Sequence, residues 1–467
     1  MNTQRPTKGV IAILATAFLW GFTSQAAAQC DPTQLAKLFA FDGQSGDQYG
    51  NSVSISENFA IIGAPHDSDN GVDSGSAYLY ERVDGEWLEI IKLLPGDGSA
   101  DDLFGSSVSM DWPFIVIGAP STFEAQAQGS AYVFIQFAGF WVEIEKFEAN
   151  EGSIHDIFGF SVSISGERFI VGAPGLDDHG SNSGAAFIYD LVEFEWIQEG
   201  RVAPLDGQAG DEFGAAVSLS GDIAVIGSRR DDDTAEDAGS AYIYARLTGG
   251  DWIQRSKLLA DDGAEQDWFG SFVASGGDTV VVGAPFDSPN GADSGSAYVY
   301  TSNDNGVSWN QNTKLVPDDG ASADLFGSVA INGESILVGA SGADTTVGIN
   351  SGAAYLFTRA GGSWVQRSKI LPTEANAGFG ASPAIGNEYA VVGASQDGLG
   401  GAAYIFDLNC PASAADLTGD GDLNFFDVAA FLNAFAATDS VADFTSDGQW
   451  DFFDVSAFLV AFAAGSP

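Results

Sequence analysis

Basic residues are scarce in this sequence, which has 17 Lys and Arg against 64 Asp and Glu and a net charge of −47. Such a surface repels the phosphate backbone of DNA or RNA, so nucleic acids are excluded as partners. The acidity fits a protein that is simply well solvated. It also fits a protein that binds cations, because hard cations prefer oxygen ligands. Both interpretations stay open at this point.

Long apolar segments are lacking as well. Residues 10–22 form an apolar run that follows Arg5 and Lys8 and precedes three alanines at 26–28. The run is shorter than the roughly 20 residues that a membrane-spanning helix needs, and its layout is that of a secretory signal peptide. We therefore expect a signal peptide over residues 1–28, no transmembrane segment, and a secreted protein that is extracellular or associated with the cell surface.

Familiar catalytic motifs are absent from the sequence. It has no G-x-S-x-G motif and no zinc-type cluster of His and Cys, and its three histidines lie in turn-like segments. One segment resembles the Asp-box of sialidase-type propellers, with Ser302, Asp304, Gly306, Ser308 and Trp309 at the matching positions. It occurs once, without the arginine cluster that sialidases need, so it predicts a segment that stabilises the fold. We expect no catalytic residue.

A repeat dominates the chain. Glycines that begin a Gly-Ala-Pro-like triplet recur seven times at spacings of 54 to 56 residues, at Gly63, Gly118, Gly172, Gly227, Gly283, Gly339 and Gly393. An aromatic-Gly pair precedes each triplet, beginning at Tyr49, Phe104, Phe158, Phe213, Phe269, Phe326 and Phe379. Within one repeat, short alternating segments at 107–110, 114–117, 130–134 and 141–147 predict four strands separated by turns. Four-stranded units of this length are typical of propeller blades.

The Phe-Gly and Gly-Ala-Pro motifs resemble the FG-GAP repeats of bacterial surface proteins and integrin α-subunit heads, over about residues 36–407. The resemblance implies an all-β, seven-bladed β-propeller, which we assign to residues 29–410. Lys37 matches the Lys-Leu pairs of the outer strands, so the N-terminal segment is expected to supply the fourth strand of the last blade. Each mature lysine occupies this repeat position, and Arg201 takes it in the remaining blade, which indicates an architectural role.

The only two cysteines, Cys30 and Cys410, fall at the predicted junction of the first and last strands. The segments that flank them add up to 11 residues where an ordinary blade has a hairpin of 12. In an exported protein this placement favours a disulfide that fastens the ring, with two free thiols as the alternative.

Two loops beyond residue 410 have the ligand spacing of an EF-hand. The first places oxygen donors at loop positions 1, 3, 5, 7, 9 and 12, namely Asp416, Thr418, Asp420, Asp422, Asn424 and Asp427. The second repeats the pattern 27 residues later with Asp443, Thr445, Asp447, Gln449, Asp451 and Asp454. The spacing predicts two Ca²⁺ sites, with the alternative that these are merely solvated acidic turns.

Each loop is followed by an apolar stripe at helical spacing, which predicts two helices that pack on each other. Asp at loop position 12 resembles the loops of dockerins, so residues 411–467 are identified as a small α-helical, dockerin-like module. The resemblance implies that the Phe pairs at loop positions 10 and 11, Phe425, Phe426, Phe452 and Phe453, contact a cohesin-like or other surface protein. Alternatively, one Phe of each pair belongs to the core.

Acidic residues also follow two of the propeller triplets, where FG-GAP loops of integrins hold cations. Candidates for further Ca²⁺ sites are Asp67, Asp69, Asp73, Asp287 and Asp293. The alternative is that these residues only form turns.

Three functions fit these observations. The first is a non-catalytic interaction scaffold, in which the propeller binds a protein or glycan and the calcium-dependent tail provides attachment. The second is an extracellular polysaccharide-degrading enzyme, or an accessory component, carried by the dockerin-like tail. The third is a cell-adhesion module with a metal-dependent ligand site. The near-uniform repeats favour the first, because an active site usually makes one or two blades differ from the rest.

Overall fold

The computed structural model describes residues 32–121, 127–149, 152–372, 378–398, 400–408, 415, 417–418, 425–445 and 448–464. The chain divides into two compact units, of which one spans Asp31–Asn409 and the other includes the C-terminal residues. The predicted signal peptide over 1–28, Cys30 and Cys410 lie outside the described residues, so the disulfide stays a prediction.

The larger unit is a ring of seven antiparallel four-stranded sheets, or blades. The first strand of the chain is β1 (Thr33–Leu38), and blade one follows with β2 (Ser52–Ser56), β3 (Phe59–Ala64), β4 (Ser76–Val83) and β5 (Glu86–Leu93). Blade two contains β6 (Ser107–Asp111), β7 (Phe114–Ala119), β8 (Ser130–Phe137) and β9 (Phe140–Phe147). Blade three contains β10 (Ser161–Ser165), β11 (Arg168–Ala173), β12 (Ala185–Val192) and β13 (Glu195–Val202).

The remaining blades continue in chain order. Blade four contains β14 (Phe213–Ser220), β15 (Ile223–Ser228), β16 (Ser240–Arg246) and β17 (Trp252–Leu258). Blade five contains β18 (Phe272–Gly276), β19 (Thr279–Ala284), β20 (Ser296–Thr301) and β21 (Asn310–Leu315). Blade six contains β22 (Phe326–Asn332), β23 (Ser335–Ala340), β24 (Ala353–Ala360) and β25 (Ser363–Ile370). Blade seven contains β26 (Pro383–Ile385), β27 (Tyr389–Ala394) and β28 (Ala402–Asp407), and β1 is its outer strand.

The ring closes through the same pairing that completes every other blade. In blade seven, Lys37 of β1 lies opposite Tyr404 of β28. In blade one, Lys92 of β5 lies opposite Tyr78 of β4, in the same register. The N-terminal strand therefore occupies the position that the Lys37 motif predicts.

The repeat motifs form the contact between neighbouring blades. A Cβ atom added to Gly118, in the triplet of blade two, would lie 2.0 Å from the carbonyl oxygen of Gly159 in blade three. Only glycine allows the two backbones to approach so closely. The aromatic member of each pair is buried, and Phe104 packs edge-to-face against Tyr132 at a centroid distance of 5.4 Å.

The C-terminal unit contains helices α1 (Phe425–Ala437) and α2 (Phe452–Ala464) with a short 3₁₀ helix at Ser440–Ala442 between them. Phe431 of α1 and Phe458 of α2 are both buried, and their rings stack at a centroid distance of 4.1 Å. These two residues are 27 positions apart, so the duplicated sequence places matching side chains at the centre of the core. Leu432 belongs to the apolar stripe that was predicted to pack between the helices. Its side chain is instead about half exposed.

Candidate functional site

Acidic side chains form two kinds of cluster in this protein, and the first kind lies at the junctions between blades. In blade one, the ammonium nitrogen of Lys92 lies 2.8 Å from Asp42, 2.8 Å from Asp67 and 2.7 Å from Asp69. Asp42 belongs to the connection that enters blade one from β1 of blade seven. The three ammonium protons thus have three carboxylate acceptors, one of them on the incoming connection.

The ring of Tyr78 completes this junction. Its hydroxyl lies 2.8 Å from Asp42 and 2.9 Å from Asp67, and the Lys92 nitrogen lies 5.1 Å from its ring centroid. Burial alone would lower the pKa of Lys92, but its hydrogen bonds with the aspartates outweigh burial and raise that pKa. Lys92 therefore carries its charge at any physiological pH.

Blade four repeats this arrangement. The nitrogen of Lys257 lies 3.0 Å from Asp206, 2.7 Å from Asp231 and 2.5 Å from Asp233. In the described residues, the cations at this repeat position of the other blades form ion pairs with one or more carboxylates. These are Lys37 with Asp397, Lys146 with Asp97 and Glu148, Arg201 with Asp178, Lys314 with Asp262 and Asp287, and Lys369 with Asp319.

The propeller candidates for calcium take part in these contacts. Asp67 and Asp69 are partners of Lys92, and the Asp287 carboxylate lies 2.6 Å from the Lys314 nitrogen. Asp73 pairs with the His66 imidazole at 3.2 Å. Asp293 is a turn residue with a φ of 54°, and its backbone N–H donates to the hydroxyl of Ser288. The structure thus brings two of these aspartates together, around an ammonium group.

A further set of aspartates was not predicted. Each stands two residues before an aromatic-Gly pair and accepts a backbone hydrogen bond from the residue three positions earlier, as Asp211 does from Gln208 at 2.7 Å. The six members are Asp47, Asp102, Asp156, Asp211, Asp267 and Asp324. Burial raises the pKa of each of them, and that of Asp211 to about 6. The sequence feature that could have identified these residues is the Asp at this position, which recurs in six of the seven repeats.

The Asp-box segment stabilises the hairpin between β20 and β21 with hydrogen bonds. The Asp304 carboxylate accepts hydrogen bonds from the hydroxyls of Ser302 and Ser308, at 2.9 and 2.6 Å. The Trp309 indole N–H donates to the Gly306 carbonyl at 3.2 Å. Each of these contacts is within the hairpin, which agrees with the structural role predicted from its single occurrence.

The second kind of acidic cluster lies in the C-terminal unit. In the second loop, Asp454 accepts hydrogen bonds from the backbone N–H and the hydroxyl of Thr445, at 3.0 and 2.9 Å. Asp443 accepts from the Gly448 N–H at 2.9 Å. The first and last predicted ligand positions thus shape the loop with hydrogen bonds to its backbone.

Asp454 also lies in the first turn of helix α2. Its carboxylate accepts the backbone N–H of Asp451, and the Asp451 carboxylate accepts that of Phe453, which together make a reciprocal cap. The hydrogen bond from the Asp451 backbone lowers the pKa of Asp454. The side chain is shielded from solvent, and its hydrogen bonds from two backbone N–H groups and the Thr445 hydroxyl favour the ionised form.

The first loop matches the second where it is described. Asp427 is fully buried and accepts the backbone N–H and hydroxyl of Thr418, at 3.0 and 2.9 Å. The other predicted positions outside the described residues are Asp416, Asp420, Asp422, Asn424 and Asp447. Gln449 is described and partnered, and its predicted role rests on its backbone carbonyl.

No basic side chain of the C-terminal segment can neutralise these carboxylates. Residues 411–467 contain nine Asp and no Lys, Arg or His. In the part of the chain that the structure describes, no group of three or more His, Cys, Asp or Glu is arranged to hold a metal ion. The donor set is nevertheless hard and anionic, and two buried carboxylates in a segment that contains no basic residue fit a divalent cation such as Ca²⁺.

The four phenylalanines of the predicted partner site are all on the surface. Phe425 and Phe426 open α1 and are exposed by 75% and 69%, while Phe452 and Phe453 open α2 and are exposed by 73% and 67%. The alternative that one Phe of each pair belongs to the core is therefore wrong. The core begins one turn later, at Phe431 and Phe458.

Comparisons with known proteins bear on the propeller. A family model described as "FG-GAP repeat" matches residues 32–80, 87–134, 141–189, 196–244, 252–300, 309–357 and 364–406. No curated protein matches the chain. Among the described helices, none is long and apolar enough to cross a membrane.

The matched segments show how sequence repeats relate to blades. The segment 87–134 starts in the outer strand of blade one and ends in the third strand of blade two. Each repeat thus links two blades. The matches cover most of the chain and form the seven-bladed propeller, and the chain therefore belongs to the FG-GAP repeat family.

Proposed function

We propose that this protein is a secreted, non-catalytic interaction scaffold, in which the FG-GAP propeller presents binding surfaces and the C-terminal unit attaches to a protein partner in a calcium-dependent manner. The observation that carries the proposal is the exposure of four phenylalanines at matching positions of two duplicated helices. Exposed aromatic side chains are costly in water and are enriched at protein interfaces. Their repetition indicates selection for contact rather than chance.

Calcium has a structural role in this proposal. Asp427 and Asp454, with the other carboxylates of the two loops, would hold one ion per loop. The ion supplies the positive charge that the segment lacks, and it fixes the loops that lead into α1 and α2. Binding and folding are coupled in small units of this kind, so the positions of the phenylalanines depend on calcium. The dockerin-like spacing of the loops supports a cohesin-like partner.

The propeller carries an apolar patch that supports a protein ligand rather than a glycan. On blade two, Phe137 of β8 lies opposite Phe140 of β9, and both are more than 70% exposed. Val142 and Ile144 follow Phe140 at alternate positions of the same edge strand, and both are exposed. The corresponding positions of blade six are Ser363, Val365 and Arg367. Blade one also has exposed apolar residues, Leu88 and Ile90, at the positions of Val142 and Ile144, but Glu86 at that of Phe140, so the exposed phenylalanine pair sets blade two apart.

The test of attachment uses the full chain immobilised on a sensor surface. Cohesin domains and extracted surface proteins are passed over it in calcium and in EDTA. The expected result is binding in calcium that is lost in EDTA and reduced at least tenfold in Phe425→Ser/Phe426→Ser or in Phe452→Ser/Phe453→Ser. Val460→Ser is the control, because Val460 is 66% exposed on α2 but lies away from its first turn. Binding that all variants retain would overturn the proposed surface.

The propeller patch is tested with Val142→Lys. Val365→Lys is the matched control, since both residues follow the outer-strand Trp of their blades and are exposed by 45% and 47%. A propeller ligand should lose affinity only with Val142→Lys. The alternative function, a polysaccharide-degrading enzyme or accessory component, predicts release of reducing sugar from polysaccharides, and such release would overturn the non-catalytic assignment.

A further inference from the structure

The propeller loops resemble cation-binding loops, yet each contains a positive charge supplied by the chain itself. At Lys92 the three surrounding oxygens lie 2.7 to 2.8 Å from the ammonium nitrogen. Ca²⁺ takes about six to eight oxygen ligands at roughly 2.3–2.6 Å. Lys92 thus occupies the centre that a metal ion would need, and an ion could enter only if the lysine left.

The cation is retained in every repeat while its surroundings change. In blade three the positions of Asp67 and Tyr78 are taken by Leu176 and Phe187, and the lysine position by Arg201. Arg201 pairs with Asp178, which has the position of Asp69. Blade three thus lacks both members of the Asp67–Tyr78 contact and still keeps the cation.

We infer that these lysines, and Arg201 in blade three, act as built-in cations of the FG-GAP loops, so that the propeller joins its blades without calcium. Each ammonium is tethered to its outer strand, so its effective concentration at the loop is on the order of millimolar or more. It pairs with carboxylates of its own blade and with the Asp of the preceding connection, such as Asp42. A divalent ion would have to displace that tethered charge.

The inference separates the two acidic clusters of the molecule. The propeller loops contain a cation of their own, whereas residues 411–467 have no basic residue. If the C-terminal unit takes up calcium, as the proposed function holds, chelation should act on that unit and spare the propeller. Only this contrast rests on the proposed function, because the inference itself concerns the propeller junctions alone.

The test removes the built-in cation from the full chain. Lys92→Ala leaves Asp42, Asp67 and Asp69 around an emptied space, and it should bind one more Ca²⁺ than the wild type in equilibrium dialysis. Its thermal midpoint should fall without calcium and recover in millimolar calcium. Tb³⁺ should give the same extra site, with luminescence excited through the neighbouring Tyr78.

Two controls isolate the cause. Lys369→Ala leaves Asp319, while Ala343 and Thr345 stand at the positions of Asp67 and Asp69, so this variant should gain no ion and show no recovery. Lys92→Met removes the charge but fills the space, and it should also gain none. If Lys92→Ala does not fold, Lys257→Ala provides the same test with Asp206, Asp231 and Asp233. A wild-type propeller that melts earlier in EDTA, or an emptied site that binds no extra ion, would overturn the inference.

Discussion

The ammonium nitrogen of Lys92 lies 2.8 Å from the carboxylate of Asp42, although the two residues are 50 positions apart and are carried by different blades. Lys92 ends the outer strand of blade one, and Asp42 lies on the connection from blade seven. The Lys369–Asp319 contact has the same form between blades five and six, at 2.6 Å. Pairs of this kind fasten neighbouring blades near the rim, outside the glycine contacts.

Removing the aspartate of such a pair should lower the free energy of unfolding more where the lysine has fewer other carboxylate partners. We expect Asp319→Ala to lower the free energy of unfolding by about 1 kcal/mol, because it removes the carboxylate that pairs with the Lys369 ammonium in a partly exposed contact. Asp42→Ala should lower it by about 0.5 kcal/mol, since Asp67 and Asp69 still pair with Lys92. Urea denaturation of both variants measures the difference. Equal losses would show that the carboxylates around Lys92 do not compensate for one another.

The glycine contact between blades leads to a second prediction. Gly118→Ala should lower the free energy of unfolding by about 3 kcal/mol or more, because the new methyl group meets the Gly159 carbonyl at 2.0 Å and forces two backbones apart. Gly249→Ala is the control, since Gly249 has no neighbour within 4 Å and an ordinary φ, and its effect should stay within about 0.5 kcal/mol. A tolerated Gly118→Ala would mean that the ring can widen locally.

Most of the fold could be predicted from the sequence, because the repeat motifs and the blade contacts involve the same residues. The glycines and aromatics that recur are those that touch the next blade, so the number of times they recur gives the number of blades. Strand ends were predicted less well. The third strand of blade two was expected to end at Phe134 but extends to Phe137, because its antiparallel pairing with β9 continues to the Phe137–Phe140 pair.

The sites were predicted only in part, for two physical reasons. Asp42 and Lys92 meet because the connection that enters a blade packs against the outer strand of that blade, and no local motif connects residues 50 positions apart. In the C-terminal unit, the spacing predicted loop ligands that stay a prediction, and it left open which Phe of each pair is buried. Both Phe residues lie in the first helical turn, ahead of the stack at Phe431 and Phe458, and only the geometry of the helix start decides this.

The raised pKa of Asp211 predicts a specific pH dependence. The folded state holds the Asp211 proton up to about pH 6, whereas an ordinary Asp releases it near 3.8. Between these values the folded state binds more protons than the unfolded state, so the contribution of Asp211 is present below pH 3.8 and is lost as the pH rises through 6. Asp211→Asn, which stays neutral, should flatten the decrease of the thermal midpoint between pH 4 and 6.

Asp97 is the control for the pH prediction, because its pKa is shifted in the opposite direction from that of Asp211. Its hydrogen bond from Lys146 lowers its pKa, so its contribution is present above pH 3.8 and is lost as the pH falls through the lowered value. Asp97→Asn should therefore change the midpoint across neutral pH and alter the slope only in acid. The prediction fails if both variants alter the same pH range.

The predicted disulfide gives a test at the ring closure. A Cys30–Cys410 bond would link residues far apart in sequence and stabilise the ring by up to about 5 kcal/mol in the chain-entropy description. Reduction, or Cys30→Ser, should lower the thermal midpoint while the folded β content stays the same. Peptide mapping without reductant should recover the two cysteines in one linked fragment, and two free thiols would contradict the bond.

Each of the two loops in the C-terminal unit should bind one calcium ion. Titration calorimetry of the full chain should show two Ca²⁺ sites, and Asp427→Asn or Asp454→Asn should each remove one, because each variant takes away a buried anionic ligand while keeping a side chain of similar size. Asp439→Asn, outside both loops, is the charge-matched control and should keep both sites. In EDTA, hydrogen exchange in α1 and α2 should become fast while exchange in the blades is unchanged. Two sites that persist in Asp454→Asn would place calcium elsewhere in the chain, and helices that stay protected in EDTA would show that the stack of Phe431 on Phe458 suffices to fold the unit.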